Sequence, residues 1–412
     1  MKKSSSKEVV VHAKTLFSGG KQYSDRWIVI KGDSIVEVSQ KRRAATYSGI
    51  VTPAFVDPHS HIGMFRAGEP GDEQEGNDIT HQIQPLCDPI RSIYFDDLAF
   101  VDSIDFGVLY SCILPGSGNL FGGRSKVIRN FAGHVGECEL HDYGFKMALG
   151  FNPRSTGGWK GERPNTRMGI YAMLEKRFDD VLAKEEKANL ARERKEIELS
   201  RKKLKTAEAV TERRLADRER DLELSGEERA LLDLLKGKRP VKIHVHKEDD
   251  VFYLLHLVKK YQIRVSAEHC GDVFHKEVFE SLRDAGVPVV FGPLGSHAYK
   301  VELRHAYYQN AKLLMESGVT YGLMTDHPVI HASLLRDSLR YFLMYGMTTE
   351  EALHIISGRN ADLVGVGKRV GRVEKGMLGS VLVWDRDPLH LGAYPRVVIG
   401  EGRVLREQSF SS

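Results

Sequence analysis

The chain has 412 residues, 41% apolar and 28% charged, which is the balance of an ordinary folded protein of one large domain or two smaller ones. A net charge of +4, from 60 basic and 56 acidic residues, is too even to point to nucleic acid or a membrane surface as partner. Four scattered cysteines without a C-x-x-C pair, a charged N-terminus lacking the apolar core of a signal peptide, and no apolar run long enough to span a bilayer lead to the expectation of a cytoplasmic protein.

Residues 8–52 read as short strands. "EVVVHAKTLFSGGKQ", "RWIVIKGDSIVEVS" and "YSGIVTPAF" are rich in β-branched residues, with Gly-Gly and Gly-Asp as turns. The texture then changes to apolar strands ("GVLYSCILPG", "GFKMALGFNP", "PVKIHVH", "IRVSAEH", "VPVVFGP", "VTYGLMTDH") alternating with helical stretches such as "DDVFYLLHLVKKY" and "HKEVFESLRDAG". That alternation implies parallel strands with crossover helices, in number enough for a (β/α)8 TIM-type barrel over residues 54–370. Within it, residues 171–236 hold a charged helical insertion; 171–225 contain no Gly or Pro and only sparse apolar residues. It reads as a solvated helical excursion, with a lid or oligomer contact as the functional alternative. After residue 371 the short strands return in "GSVLVWDRDP" and "RVVIGEGRVL", so residues 1–53 and 371–412 are expected to form one β domain.

The polar residues at the strand ends carry the chemistry. In "VTPAFVDPHSHIGM", His59 and His61 stand two apart at the end of an apolar run, where residues i and i+2 share a face. Alone, the pair is compatible with two loop histidines beside a proline. "PVKIHVHKEDD" ends in His244 and His246, "RVSAEHC" in His269 and "TYGLMTDHPV" in Asp326. In a barrel the carboxyl ends of all strands meet on one face, and a set of histidines with one aspartate suits Zn²⁺ or a similar first-row ion.

With these motifs the chain resembles the metal-dependent amidohydrolase superfamily, in particular its imidazolonepropionase-like branch. The resemblance also rests on "LPGSGNLFGG", "PNTRMG" and "GRVEKGMLGSVLVWDRDPL", and covers nearly the whole chain. It implies a small β-sandwich built from both termini. It also implies that His59 and His61 are the first-strand metal pair, His244 and His269 the fifth- and sixth-strand ligands, and Asp326 a ligand that shuttles protons. His246 is either the ligand in place of His244 or a catalytic group in substrate contact or proton transfer. Binuclear relatives add a bridging carboxylate or carbamylated lysine at the end of the third or fourth strand, and here Phe151 stands where that carboxylate is sought; Lys126 and Lys146 are weaker replacements. The expectation is therefore one ion, zinc first with iron and manganese also suited, bound by His59, His61, His244 and Asp326. His269 is an added or substrate-facing ligand.

The implied reaction is hydrolysis of a carbon–nitrogen bond in a small non-protein substrate: a cyclic amide, an N-acyl or dipeptide-like compound, or an amidine. Arg167 and Arg304 are candidate carboxylate clamps in substrate binding. Two other readings stand beside it. "LPGSGNLFGGRSK" is a Gly-rich loop that could cradle phosphate, although it lacks the P-loop ending. A catalytically impaired barrel acting as a binding scaffold is the other. A homo-oligomer is compatible with all of them.

Overall fold

In a computed structural model of the chain, residues 8–66, 70–155, 162–202, 206–296 and 300–408 are described. The first four strands are β1 (Val9–Ser18), β2 (Lys21–Lys31), β3 (Ser34–Ser39) and β4 (Tyr47–Pro53). Eight more follow: β5 (Phe55–Ser60), β6 (Val108–Ile113), β7 (Phe121–Arg129), β8 (Glu139–Ala148), β9 (Val241–Lys247), β10 (Val265–Asp272), β11 (Val289–Phe291) and β12 (Tyr321–Leu323). The chain returns in β13 (Val381–Trp384), β14 (Val397–Gly400) and β15 (Arg403–Glu407).

Both ends enter one seven-stranded sheet in the order β15-β14-β13-β4-β1-β2-β3. The sheet curls back on itself, with Ile35 N donating to Met377 O. It encloses a core of its own made of β-branched residues such as Val11, Ile28, Ile30, Val51, Val381 and Ile399. Side-chain alternation along these strands accounts for that inward face.

The other eight strands are consecutive neighbours from β5 to β12. Their two edge strands are brought together by side chains. Asn360 Nδ2 donates to both Val56 O (2.7 Å) and Leu323 O (2.8 Å). The Asp57 carboxylate accepts from the Thr325 hydroxyl and backbone, and Asp326 N donates to His59 O. The sheet departs from the all-parallel barrel expected. β7 runs antiparallel to both β6 and β8, and among the described residues between them only the single turn Val135–Cys138 is α-helical. The Gly-rich stretch read as a loop contributes residues 121–126 to this strand.

The insertion is a helix Arg167–Arg201, a second Thr206–Leu222 and a third Gly226–Leu235. Ile170, Leu174, Phe178 and Val181 of the first are buried at helical spacing in the main core, and Tyr171 stacks on Tyr253 with centroids 3.4 Å apart. The base of the insertion is thus part of the barrel's packing, whereas Thr206–Leu222 buries only Ala216. Among the described residues no helix is long and apolar enough to cross a membrane.

Candidate metal centre

β9 shows how the centre is assembled. Val241, Ile243 and Val245 join the core between strands and helices, while Lys242, His244 and His246 take the opposite face by strict alternation. β10 follows suit with Ser266 and Glu268. His269 then breaks the alternation: its φ of 75°, followed by 53° at Cys270, turns the backbone left-handed and brings its ring beside His59 and His244. Asp326, with φ 50°, is turned in similarly.

Two ligand groups result. His59, His61 and Asp326 form one, and His244, His246 and His269 the other; the ligand atoms of each group lie within 4.8 Å of one another. The ring centroids of His59 and His269, one from each group, are 4.9 Å apart. Three of the imidazoles are oriented by an acceptor on the far nitrogen. His59 Nδ1 donates to Glu268 Oε2 (2.7 Å), His61 Nδ1 to Leu114 O (2.8 Å) and His269 Nδ1 to Gly292 O (2.9 Å). His244 Nδ1 lies 2.8 Å from Ser117 Oγ. These contacts leave Nε2 to face the centre, the arrangement that holds a metal-ligating imidazole in place.

The donor set fits a bound ion. His269 Nε2 and His246 Nδ1 are buried polar atoms without a hydrogen-bond partner, which is costly unless something satisfies them. Burial keeps both imidazoles neutral, pulling His246 down to about 3 and His269 well below its usual value. Burial opposes ionisation of Asp326, but His269, His59 and His61 around it hold its carboxyl well below the ordinary range. Its Oδ1 is 3.1 Å from His61 Nε2 and 3.4 Å from His59 Nε2.

The centre also contains lysine. Lys146, fully buried on β8, brings its Nζ within 3.3 Å of His59 Nε2. Burial pulls this amine down to about 8. Its charge acts on His59, His244, His246 and His269 alike. Below it Lys242 and Glu268, both fully buried, pair at 3.0 Å. Burial opposes the Glu268 charge, yet Lys242 and His59 bring that carboxyl down to about 2.

Other expected residues lie elsewhere. Phe151 follows β8 and faces a separate cavity shared with Arg154, Arg167 and Glu302, and its N–H donates to Glu302 Oε2. The premise for a single ion, an aromatic ring in the bridging place, therefore does not hold; Lys146 is the β8 side chain at the histidines. Lys126 is tied to Asp88 (2.9 Å) and Glu139 (2.8 Å). Arg167 pairs with Asp249 at 2.7 Å, and Arg304 is exposed; neither lines the cleft beside the centre, so neither is placed as a clamp there. The Gly-rich loop braces the site: the Gly116 and Gly118 amides bond to Gly76 O and Asn77 Oδ1. Lys242 and Glu268 escaped the sequence reading, although two-residue alternation back from His244 leads to Lys242.

A sequence profile of the amidohydrolase family matches residues 166–405, more than half of the chain. The chain belongs to the amidohydrolase family. It is 26% identical over 377 residues to the amidohydrolase tasK of Hapsidospora irregularis, a match covering 88% of this chain but only 36% of that protein. Among solved structures it resembles an amidohydrolase from Thermotoga maritima MSB8, with TM-score 0.84, 24% identity, and 97% of this chain and 100% of that one covered. It also resembles a prolidase complexed with N-methylphosphonate-L-proline, with TM-score 0.58, 16% identity, and 98% and 100% covered. These two likenesses are of fold.

Proposed function

We propose that this chain is a metal-dependent hydrolase of a carbon–nitrogen bond in a small substrate that is not an ordinary protein, such as a cyclic amide or an N-acyl or dipeptide-like compound. The observation that carries the reading is the meeting of five buried imidazoles, Asp326 and Lys146 at the ends of five strands. His59, His61 and Asp326 would hold one divalent ion, and His244 and His269, with His246 beside them, a second. Zinc suits these donors, as do iron and manganese. Such ions, when bound, polarise a carbonyl and lower the pKa of a water to about 7.

The chain's own residues supply the rest. Asp326, anionic in its histidine cage, accepts the water proton and passes it to the leaving nitrogen, a step of general acid–base catalysis. Glu268 keeps His59 in the tautomer that presents Nε2. Lys146, with a pKa near 8, has a neutral fraction at pH 7, and its lone pair can attack CO₂. A nitrogen–carbon bond would form with loss of one N–H proton to solvent, and the resulting carbamate would add an anionic donor to the histidines and Asp326 that would hold the metal. The scaffold reading drew on Phe151, and Lys146 removes that motive. Four free cysteines suit a reducing compartment, in keeping with a cytoplasmic enzyme.

The test is a screen of N-acyl amino acids, dipeptides and cyclic amides with the metal-loaded full chain. Turnover should disappear on chelation and return with added metal. Asp326→Asn should retain metal and lose at least about 10²-fold in kcat. Unaltered turnover in Asp326→Asn would refute the role assigned to it.

A further inference from the structure

The two histidine groups share their anions unevenly. Asp326 stands with His59 and His61, whereas the members of the other group, His244, His246 and His269, are all imidazoles that burial keeps neutral. An ion held in a buried place by neutral nitrogens alone keeps its full charge uncompensated, which is costly at low dielectric. One further carboxylate reaches this group. Glu302 lies on the single turn Val301–Leu303, between β11 and β12, and is 3% exposed. Its Oε1 is 3.8 Å from His244 Nε2 and 4.0 Å from His246 Nε2. Donors that share one ion, each about 2.1 Å from it, stand about 3.4 Å apart at the tetrahedral angle and about 4.2 Å apart when opposite. Both distances to Glu302 fall within that span.

The carboxylate is anchored by one oxygen and leaves the other to a ligand. Oε2 accepts from the Phe151 N–H at 2.9 Å. Oε1 is a buried atom without a hydrogen-bond partner, and Lys300 Nζ, at 4.0 Å from it, is beyond hydrogen-bond length. Asn152 Nδ2 approaches His244 Nε2 only to 3.5 Å, too far to hold that nitrogen firmly. Gly150, at the end of β8, makes room for the anchor: its φ is 79°, and a Cβ there would stand 2.9 Å from Glu302 Oε2. The approach of Glu302 to the histidines is thus prepared by the backbone on both sides of Phe151.

We propose that Glu302 is a ligand of the second divalent ion, joining His244 and His246 through Oε1, so that each histidine group has a carboxylate of its own. This deepens the metal-dependent hydrolase reading and rests on it. The ligand comes from a turn in the β11–β12 connection and not from the end of an apolar strand, two residues before the Arg304 that the sequence singled out. Its carboxylate offsets charge at the second ion directly, where a neutral donor of the same shape cannot.

Zinc affinity of the full metal-loaded chain, measured by competition with a chromophoric chelator, tests this without turnover. Glu302→Gln keeps the shape of the side chain and an acceptor for the Phe151 N–H while removing the charge. It should leave one ion as tightly held as before and weaken the other by more than about 100-fold, beyond the roughly 10–100-fold of a residue that only orients a ligand. Glu302→Asp, which keeps the charge on a shorter stem, should bind that ion more tightly than Glu302→Gln. With cobalt(II) in place of zinc, the visible absorption of the second ion should change in Glu302→Gln and that of the first should not. Two ions held equally tightly by Glu302→Gln would overturn the proposal while leaving the hydrolase reading intact. So would a parallel loss of both ions in Glu302→Gln and Glu302→Asp, the mark of a structural role. An unaltered chain that holds no ion would sink the metal-dependent reading and this proposal together, and one that holds a single ion untouched by Glu302→Gln would sink the proposal alone.

Discussion

Lys242 and Glu268 illustrate what a barrel interior demands of single residues. Two full charges sit where no solvent reaches, and each is tolerable only because of the other and of the polar groups around them. The Ser266 hydroxyl and His59 Nδ1 complete the Glu268 carboxylate's partners. Lys242→Met strands that carboxylate, and urea unfolding should show a loss of about 3–5 kcal/mol. A loss under about 1 kcal/mol, the scale of an exposed pair, would mean that solvent reaches Glu268 in the folded chain. The double variant with Glu268→Gln should recover part of the loss. The histidines and Asp326 were legible because each ends an apolar run. Lys242 was not, and Lys146 was named only as a weaker replacement, because a lysine within a strand usually marks a solvated face, and only the closed barrel makes that face an interior. Phe151 misled for a related reason: the fourth-strand group at the histidines stands five residues earlier, inside β8.

The helical insertion shows composition misleading over a whole element. Its sparse apolar residues suggested a solvated excursion, yet Leu174, Phe178 and Val181, with Ile170 just ahead of the insertion, fall on one stripe at the base of Arg167–Arg201 and enter the main core. Farther out the helices hold one another mainly by exposed pairs such as Arg192–Asp217, which contribute little. Phe178→Ala should therefore cost about 3–5 kcal/mol, as expected for a fully buried ring. Replacing residues 190–221 by a short turn should cost less than about 1 kcal/mol, the ordinary effect of changes away from the core. Unfolding of both variants against the unaltered chain reads the difference, and a larger loss from the tip than from Phe178 would reverse this assignment. At β10 the sequence placed His269 at a strand end, but strict alternation sends it to the wrong face. The left-handed backbone at His269 and Cys270 corrects this, and no residue type there announces it.

At the scale of the molecule, the joining of the two β-rich ends into one sheet was legible from their shared texture, and seven of the eight strands of the second sheet from the repeated apolar runs. The reversal of β7 was not. Its glycines, Gly122 and Gly123, read as loop residues, and a strand with an antiparallel neighbour on each side needs no crossover helix to betray it. What this architecture achieves is convergence: β5, β8, β9, β10 and the segment after β12 deliver two histidine groups to one place, with Lys146 against His59. Elemental analysis of the full chain, purified without chelators, tests that account most directly when the unaltered chain is compared with Lys146→Met. Two tightly held divalent ions per unaltered chain, falling to one or none in Lys146→Met, is the predicted result. A single ion per chain, retained equally in Lys146→Met, would contradict it.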